Sequence, residues 1–99
     1  MSYLSPVRVF LLSFLIDRDA VTAFLDTRPE IVNWRTISPY GILVASRTDL
    51  TTLSEMFHTQ VPWLYFLLVP VEGPNANGWW SRDLWDFINS PKSSGRWPD

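Results

Sequence analysis

The sequence predicts an α+β fold: a ferredoxin-like βαββαβ domain with a four-stranded antiparallel sheet and an added C-terminal helix. Three observations predict it. Short unbroken apolar runs of strand length alternate with segments whose apolar residues recur at helical spacing. Prolines punctuate the chain at Pro29, Pro39, Pro62, Pro70 and Pro91, where a missing amide hydrogen stops a helix or a ladder. The resulting order is strand, helix, strand, strand, helix, strand, then a last helix. Two crossover helices then cover one face of a sheet whose spatial order is four, one, three, two.

Val7 to Ile16 is an apolar run of strand length, ended by the charged Asp17-Arg18-Asp19. Within it, Val9 to Ile16 resembles a signal-peptide core, but charge follows where a small-residue cleavage site belongs, so a buried strand is expected. The run is too short to span a bilayer, and a cytoplasmic protein without membrane association is expected. Asp17 is placed to cap a helix, because its carboxylate would accept free amide hydrogens of the first turn. Ala20, Val21, Phe24 and Leu25 line one side of that helix, which should run to about Arg28 and stop at Pro29.

Ile31 to Ser38 has strand composition, and Pro39-Tyr40-Gly41 has turn chemistry leading into a third strand, Ile42 to Ser46. Thr48 or Asp49 would cap a second helix in which Leu50, Leu53, Phe57 and Val61 share a face, ending before Pro62. Trp63 to Val69 is the expected fourth strand, with Pro62 and Pro70 at its ends. Glu72 to Gly78 reads as a loop. Trp80, Leu84, Trp85, Phe87 and Ile88 then form the apolar side of a third helix, with Ser81 as cap and Asp83 and Asp86 on its solvated side. Residues 1–90 should form a single domain and residues 91–99 a flexible tail.

Apolar residues make up 46% of the 99-residue chain and charged ones 18%, a balance that excludes intrinsic disorder. Aromatic residues reach 15%, with six Trp, six Phe and three Tyr, and invite the question of where so many rings go. The net charge is −2 and the basic residues are scattered from Arg8 to Arg96. Charge therefore does not favour a nucleic-acid partner. Cysteine is absent, which removes disulfides and thiolate chemistry.

Strands one and four are apolar at successive positions, hence on both faces of the sheet, yet the crossover helices cover only one. The second face needs a second copy of the chain, the terminal helix or a ligand. A homodimer is expected, with the terminal helix near its interface and Trp63, Tyr65 and Leu67 of the apolar fourth strand as interface candidates.

Catalytic constellations are scarce. His58 is the single histidine and reads as a helix-end or surface side chain, and the isolated glycines form no phosphate-cradling loop. Asp17 and Asp19 are the best-placed candidates for a hard divalent cation, although a helix start favours acidic residues at both positions anyway. Trp79 and Trp97 are the rings left for a binding surface, for instance one that stacks bases.

The stretch Asn77 to Ser90 (NGWWSRDLWDFINS), after a strand of the VPWLYFLLVPV type and with Trp34 and the segment Ser38 to Asp49 before it, resembles small bacterial SinR-like proteins. These are distant ferredoxin-like relatives of the small nuclease of the CRISPR adaptation complex. The resemblance implies a ferredoxin-like homodimer. In the nuclease branch an aspartate ending strand one binds a divalent metal near the dimer axis, and Asp17 is the matching position. Here Ile16 precedes it where that branch has an aromatic residue. The expected function is therefore a non-enzymatic interaction or scaffold protein without cofactor. The alternative is a metal-dependent endonuclease of the CRISPR-adaptation type, using magnesium or manganese on RNA or DNA.

Overall fold

A computed structural model describes residues 6–15, 17–72, 78–79 and 81–89. Its elements are β1 (Arg8–Phe14), α1 (Arg18–Asp26), β2 (Ile31–Ser38), β3 (Gly41–Ser46), α2 (Leu50–Gln60), β4 (Phe66–Val71) and α3 (Arg82–Asn89). The four strands form one antiparallel sheet in the order β2-β3-β1-β4. This is the expected ferredoxin-like arrangement, with β1 and β3 central and α3 added at the C-terminal side. The expected tail, residues 91–99, lies outside the described residues.

Local chemistry sets the helix starts. The Asp17 carboxylate accepts the Asp19 N–H at 2.9 Å, and the Asp49 carboxylate accepts the Thr52 N–H at 2.7 Å. Each satisfies an amide hydrogen that the first helical turn leaves without a backbone partner. Helix α1 ends at Asp26, before the expected Arg28, because Thr27 turns its N–H and its hydroxyl back onto the Phe24 carbonyl at 3.0 and 2.7 Å.

β4 differs most from expectation. It starts at Phe66, since Val61 to Leu64 form a turn closed by the Leu64 N–H on the Val61 carbonyl at 2.9 Å, and it runs through Pro70 to Val71. The hydrogen-bond direction explains how a proline is accommodated. Phe14 donates to the Tyr40 carbonyl at 3.1 Å, so Phe10, Leu12 and Phe14 aim their backbone groups at the β3 side. Val9, Leu11 and Ser13 then aim theirs at Val71, Val69 and Leu67 of β4, and Phe66, Leu68 and Pro70 face away from the sheet. Pro70 thus sits where an edge strand has no ladder bond to lose.

Side chains pack in two layers. On one face, Phe10, Leu12 and Phe14 of β1 and Ile42 and Val44 of β3 lie beneath Val21 and Leu25 of α1 and Leu53, Met56 and Phe57 of α2. Phe57 is the hinge of this layer, its ring 6.0 Å from that of Phe24 and 5.5 Å from that of Phe66, both tilted. Such pairs add roughly 0.5–1.5 kcal/mol beyond the area they bury. Leu50, expected on the inner face of α2, is instead partly exposed at its first turn, and Met56 takes a core position.

On the other face Leu84 and Phe87 of α3 cover Val9, Leu43 and Ala45, with Leu11, Ile37, Val71 and Ile88 around them. The terminal helix therefore covers one part of the second face. Asn33 is buried in β2. Its Oδ1 accepts the Trp34 N–H at 2.9 Å, and its Nδ2 has no partner among the described residues.

All six phenylalanines enter these two layers, four of them fully buried. The tryptophans do not follow as a group: Trp34 and Trp85 are half-buried, whereas Trp63 and Trp79 are exposed. The Trp34 Nε1–H donates to Asp26 at 2.8 Å and ties β2 to the end of α1.

Because Phe87 is the fully buried anchor of α3, Phe87→Ala should destabilise the fold by about 3 kcal/mol or more. Urea unfolding followed by far-ultraviolet circular dichroism measures this, and a loss under about 1 kcal/mol would mean that α3 is not integral to the core.

Candidate functional site

Where α3 stops covering the second face, an apolar strip begins. Tyr65, Leu67 and Val69 alternate just before and along β4, and Leu11, Ser13 and Leu15 alternate along and just beyond the neighbouring β1. Side chains two apart on a strand share a face, and Leu11 and Val71 belong to the layer under α3, so the strip continues that face. Exposure rises away from the helix, from 40% at Val69 to 63% at Leu67 and 77% at Tyr65, with Leu15 at 76%. A shallow apolar groove of about 250 Å³ lies here, lined by Ser13, Phe14, Leu15, Tyr65, Phe66 and Leu67.

The interface candidates from the sequence, Trp63, Tyr65 and Leu67, are all exposed. Tyr65 and Leu67 lie in the strip, whereas Trp63 lies in the turn before β4. Sequence reasoning did not single out Leu15 and Val69. The signal for Val69 was the two-residue period Tyr65, Leu67, Val69, masked because the strand is apolar at the intervening positions too.

Leu15 also borders a second groove, of about 360 Å³, formed with Asp17, Arg18, Asp19, Pro39 and Tyr40. The structure thus brings Asp17 and Asp19 together at the β1 to α1 junction. One Asp17 oxygen is engaged by the Asp19 N–H, and Arg18 reaches across to the Ser38 carbonyl at 3.5 Å. Among the described residues no group of three or more His, Asp or Glu side chains is placed to share a metal ion.

Two carboxylates elsewhere in the fold are shifted by their hydrogen bonds. Glu30 is held below the usual carboxylate range by its two hydrogen bonds from the Arg28 guanidinium, at 3.1 and 3.0 Å, and Arg28 is raised in turn. Asp49 is lowered by its hydrogen bonding at Thr52. Glu30 and Asp49 flank the Ile31 and Ser46 ends of β2 and β3, opposite the Pro39-Tyr40 turn that borders the groove. The Ser46 hydroxyl fastens that end by donating to the Glu30 carbonyl at 2.6 Å. These shifts come from a cap and an ion pair, which are structural roles.

The remaining candidates are dispersed. Trp79 is 98% exposed beside Gly78, whose φ of +154° favours glycine, and Trp97 lies outside the described residues. His58 is exposed in the last turn of α2. Asp83 faces Arg35 at 3.9 Å across the α3 to β2 contact, and Asp86 is exposed. No helix among the described residues is long and apolar enough to cross a membrane. No protein-family model, curated protein or solved structure matches the chain.

The two cap aspartates can be told from titrating active-site groups by amide substitution, since asparagine caps about as well as aspartate without a charge. Asp17→Ala should cost about 1 kcal/mol and Asp17→Asn far less, by thermal or urea unfolding. For Asp49 the folded pKa lies below the unfolded one, so its ionised form adds stability that is fully present above the ordinary carboxylate value and lost as pH falls through the folded value. Wild type should therefore lose more Tm than Asp49→Asn between about pH 5 and pH 2, and equal slopes would mean that the charge contributes nothing.

Proposed function

We propose that this chain is a non-enzymatic interaction module that works as a homodimer through the β4 side of the sheet, where the apolar strip of Leu15, Tyr65, Leu67 and Val69 lies. The observation that carries the reading is the incomplete cover of the second sheet face, which is largely apolar yet, among the described residues, sheltered by α3 at only one end. Scattered exposed apolar side chains are ordinary, but a contiguous set that continues a buried layer marks an interaction surface. The chain also carries no charged residue between His58 and Glu72, so two copies of the strip can approach without like-charge repulsion.

A second reading rests on the groove that holds Asp17 and Asp19 with Arg18 and Tyr40. It is a magnesium- or manganese-dependent endonuclease acting on RNA or DNA, in line with the SinR-like resemblance. We rank it second because Asp17 already serves as a cap and the basic residues are scattered along the sequence rather than clustered. Metal-dependent cleavage by the wild type that vanishes in Asp17→Asn, with the fold intact, would reverse that ranking.

Light scattering and sedimentation should find a dimer at micromolar concentration. Leu67→Asp, at an exposed position, should raise the dimer dissociation constant by at least about thirtyfold, or ~2 kcal/mol, with the far-ultraviolet circular dichroism spectrum unchanged. A wild-type monomer at about 100 μM would sink the homodimer reading.

A further inference from the structure

Resting on the homodimer reading, we infer that the two copies join by antiparallel pairing of β4 with β4, about a two-fold axis at Leu67. The sheet would then run continuously from one copy into the other. Both edges of the sheet, β2 and β4, are candidates for such a contact, and they are unlike. β2 carries two register irregularities and a charged Arg35, features that discourage edge pairing. β4 has neither, is uncharged from end to end, and has no strand on its outer side among the described residues.

The backbone of β4 selects a register. Phe66, Leu68 and Pro70 present their backbone groups outward, because Leu67, Val69 and Val71 are turned to β1. Pro70 offers a carbonyl but no N–H. On the other side, the Leu64 N–H is already given to the Val61 carbonyl. A ladder on this edge is therefore bracketed to Phe66 and Leu68, whose midpoint is Leu67. With the axis there, Phe66 of each copy exchanges both backbone hydrogen bonds with the partner's Leu68, and every outward N–H of the strand meets a carbonyl. Moving the axis toward Pro70 would set a proline nitrogen against a carbonyl, and moving it toward Leu64 would require a donor already in use.

Self-complementarity is what favours a second copy over a foreign peptide. The same register sets Leu67 beside the partner's Leu67 and Tyr65 beside the partner's Val69, an aromatic and β-branched pairing of the kind that stabilises neighbouring strands. An isologous contact needs such a self-matching patch.

Single cysteines test the geometry cleanly because the chain has none of its own. At the axis, facing non-hydrogen-bonded residues have Cα atoms about 4.5 Å apart, within disulfide reach. Leu67→Cys should cross-link to a dimer under mild oxidation. Tyr65→Cys alone should not, since four residues of offset separate the two copies of that position by about 13 Å. Mixed Tyr65→Cys and Val69→Cys chains should cross-link only with each other. A dimer in which Leu67→Cys stays uncoupled, or Tyr65→Cys couples with itself, would overturn the strand pairing and leave the homodimer standing. A monomer in sedimentation, with no cross-link by any variant, would overturn both.

Discussion

The constraint on which the rest of this structure depends is a sheet that is apolar on both faces in a chain with few elements to cover it. Two crossover helices fill one face, with Phe57 joining α1, α2 and β4 through its contacts to Phe24 and Phe66. Among the described residues the opposite face has only α3. An eight-residue helix is about 12 Å long, whereas seven residues of β1 extend over about 23 Å. Whatever its direction, α3 cannot shelter the whole face. Val9, Leu43 and Ala45 are buried and the strip from Val69 to Tyr65 is left to solvent. Exposure of this strip follows from helix length against strand length.

The element order and most boundaries were legible because each rests on local chemistry. Caps at Asp17 and Asp49, the Pro39-Tyr40-Gly41 turn and the apolar runs act within a few residues, and the fold honours them. β4 starts three residues later than its sequence suggests, because Trp63-Leu64-Tyr65 has strand composition. Composition does not register that the Val61 carbonyl captures the Leu64 N–H to make a turn. Pro70 looks like a terminator in the sequence for a similar reason: whether a proline interrupts a ladder depends on which side its nitrogen faces, and that is decided by the partner strand. The tryptophans show the same limit. Helical spacing correctly put Leu84 and Phe87 inside, but which rings are covered depends on how far α3 reaches.

The candidate site was legible in part. Two apolar faces were deducible from the runs themselves, and Tyr65 and Leu67 could be named from the edge strand. The division of the second face between helix and solvent was not, because it depends on tertiary reach. Asp17 illustrates the opposite case. An aspartate at a strand-to-helix junction satisfies both a cap and a metal-ligand pattern, and spacing cannot separate them. The hydrogen bond to Asp19 supplies a structural reason for its presence without any ligand.

The two functional readings also compete geometrically. A metal shared between copies requires their Asp17 carboxylates to meet at the symmetry axis. Pairing of β4 about Leu67 does the reverse. Each β1 lies one strand in from the junction, so the two copies of β1 are three strand spacings apart, about 14 Å. Along the strands, Phe14 is level with Phe66, one residue from the axis, and Asp17 lies further out in the same direction. The two copies of Asp17 then point to opposite ends of the joined sheet, on the order of 25 Å apart. The same edge that makes β4 self-complementary therefore dismantles the shared-metal arrangement, and a chain that dimerises this way uses Asp17 to start a helix.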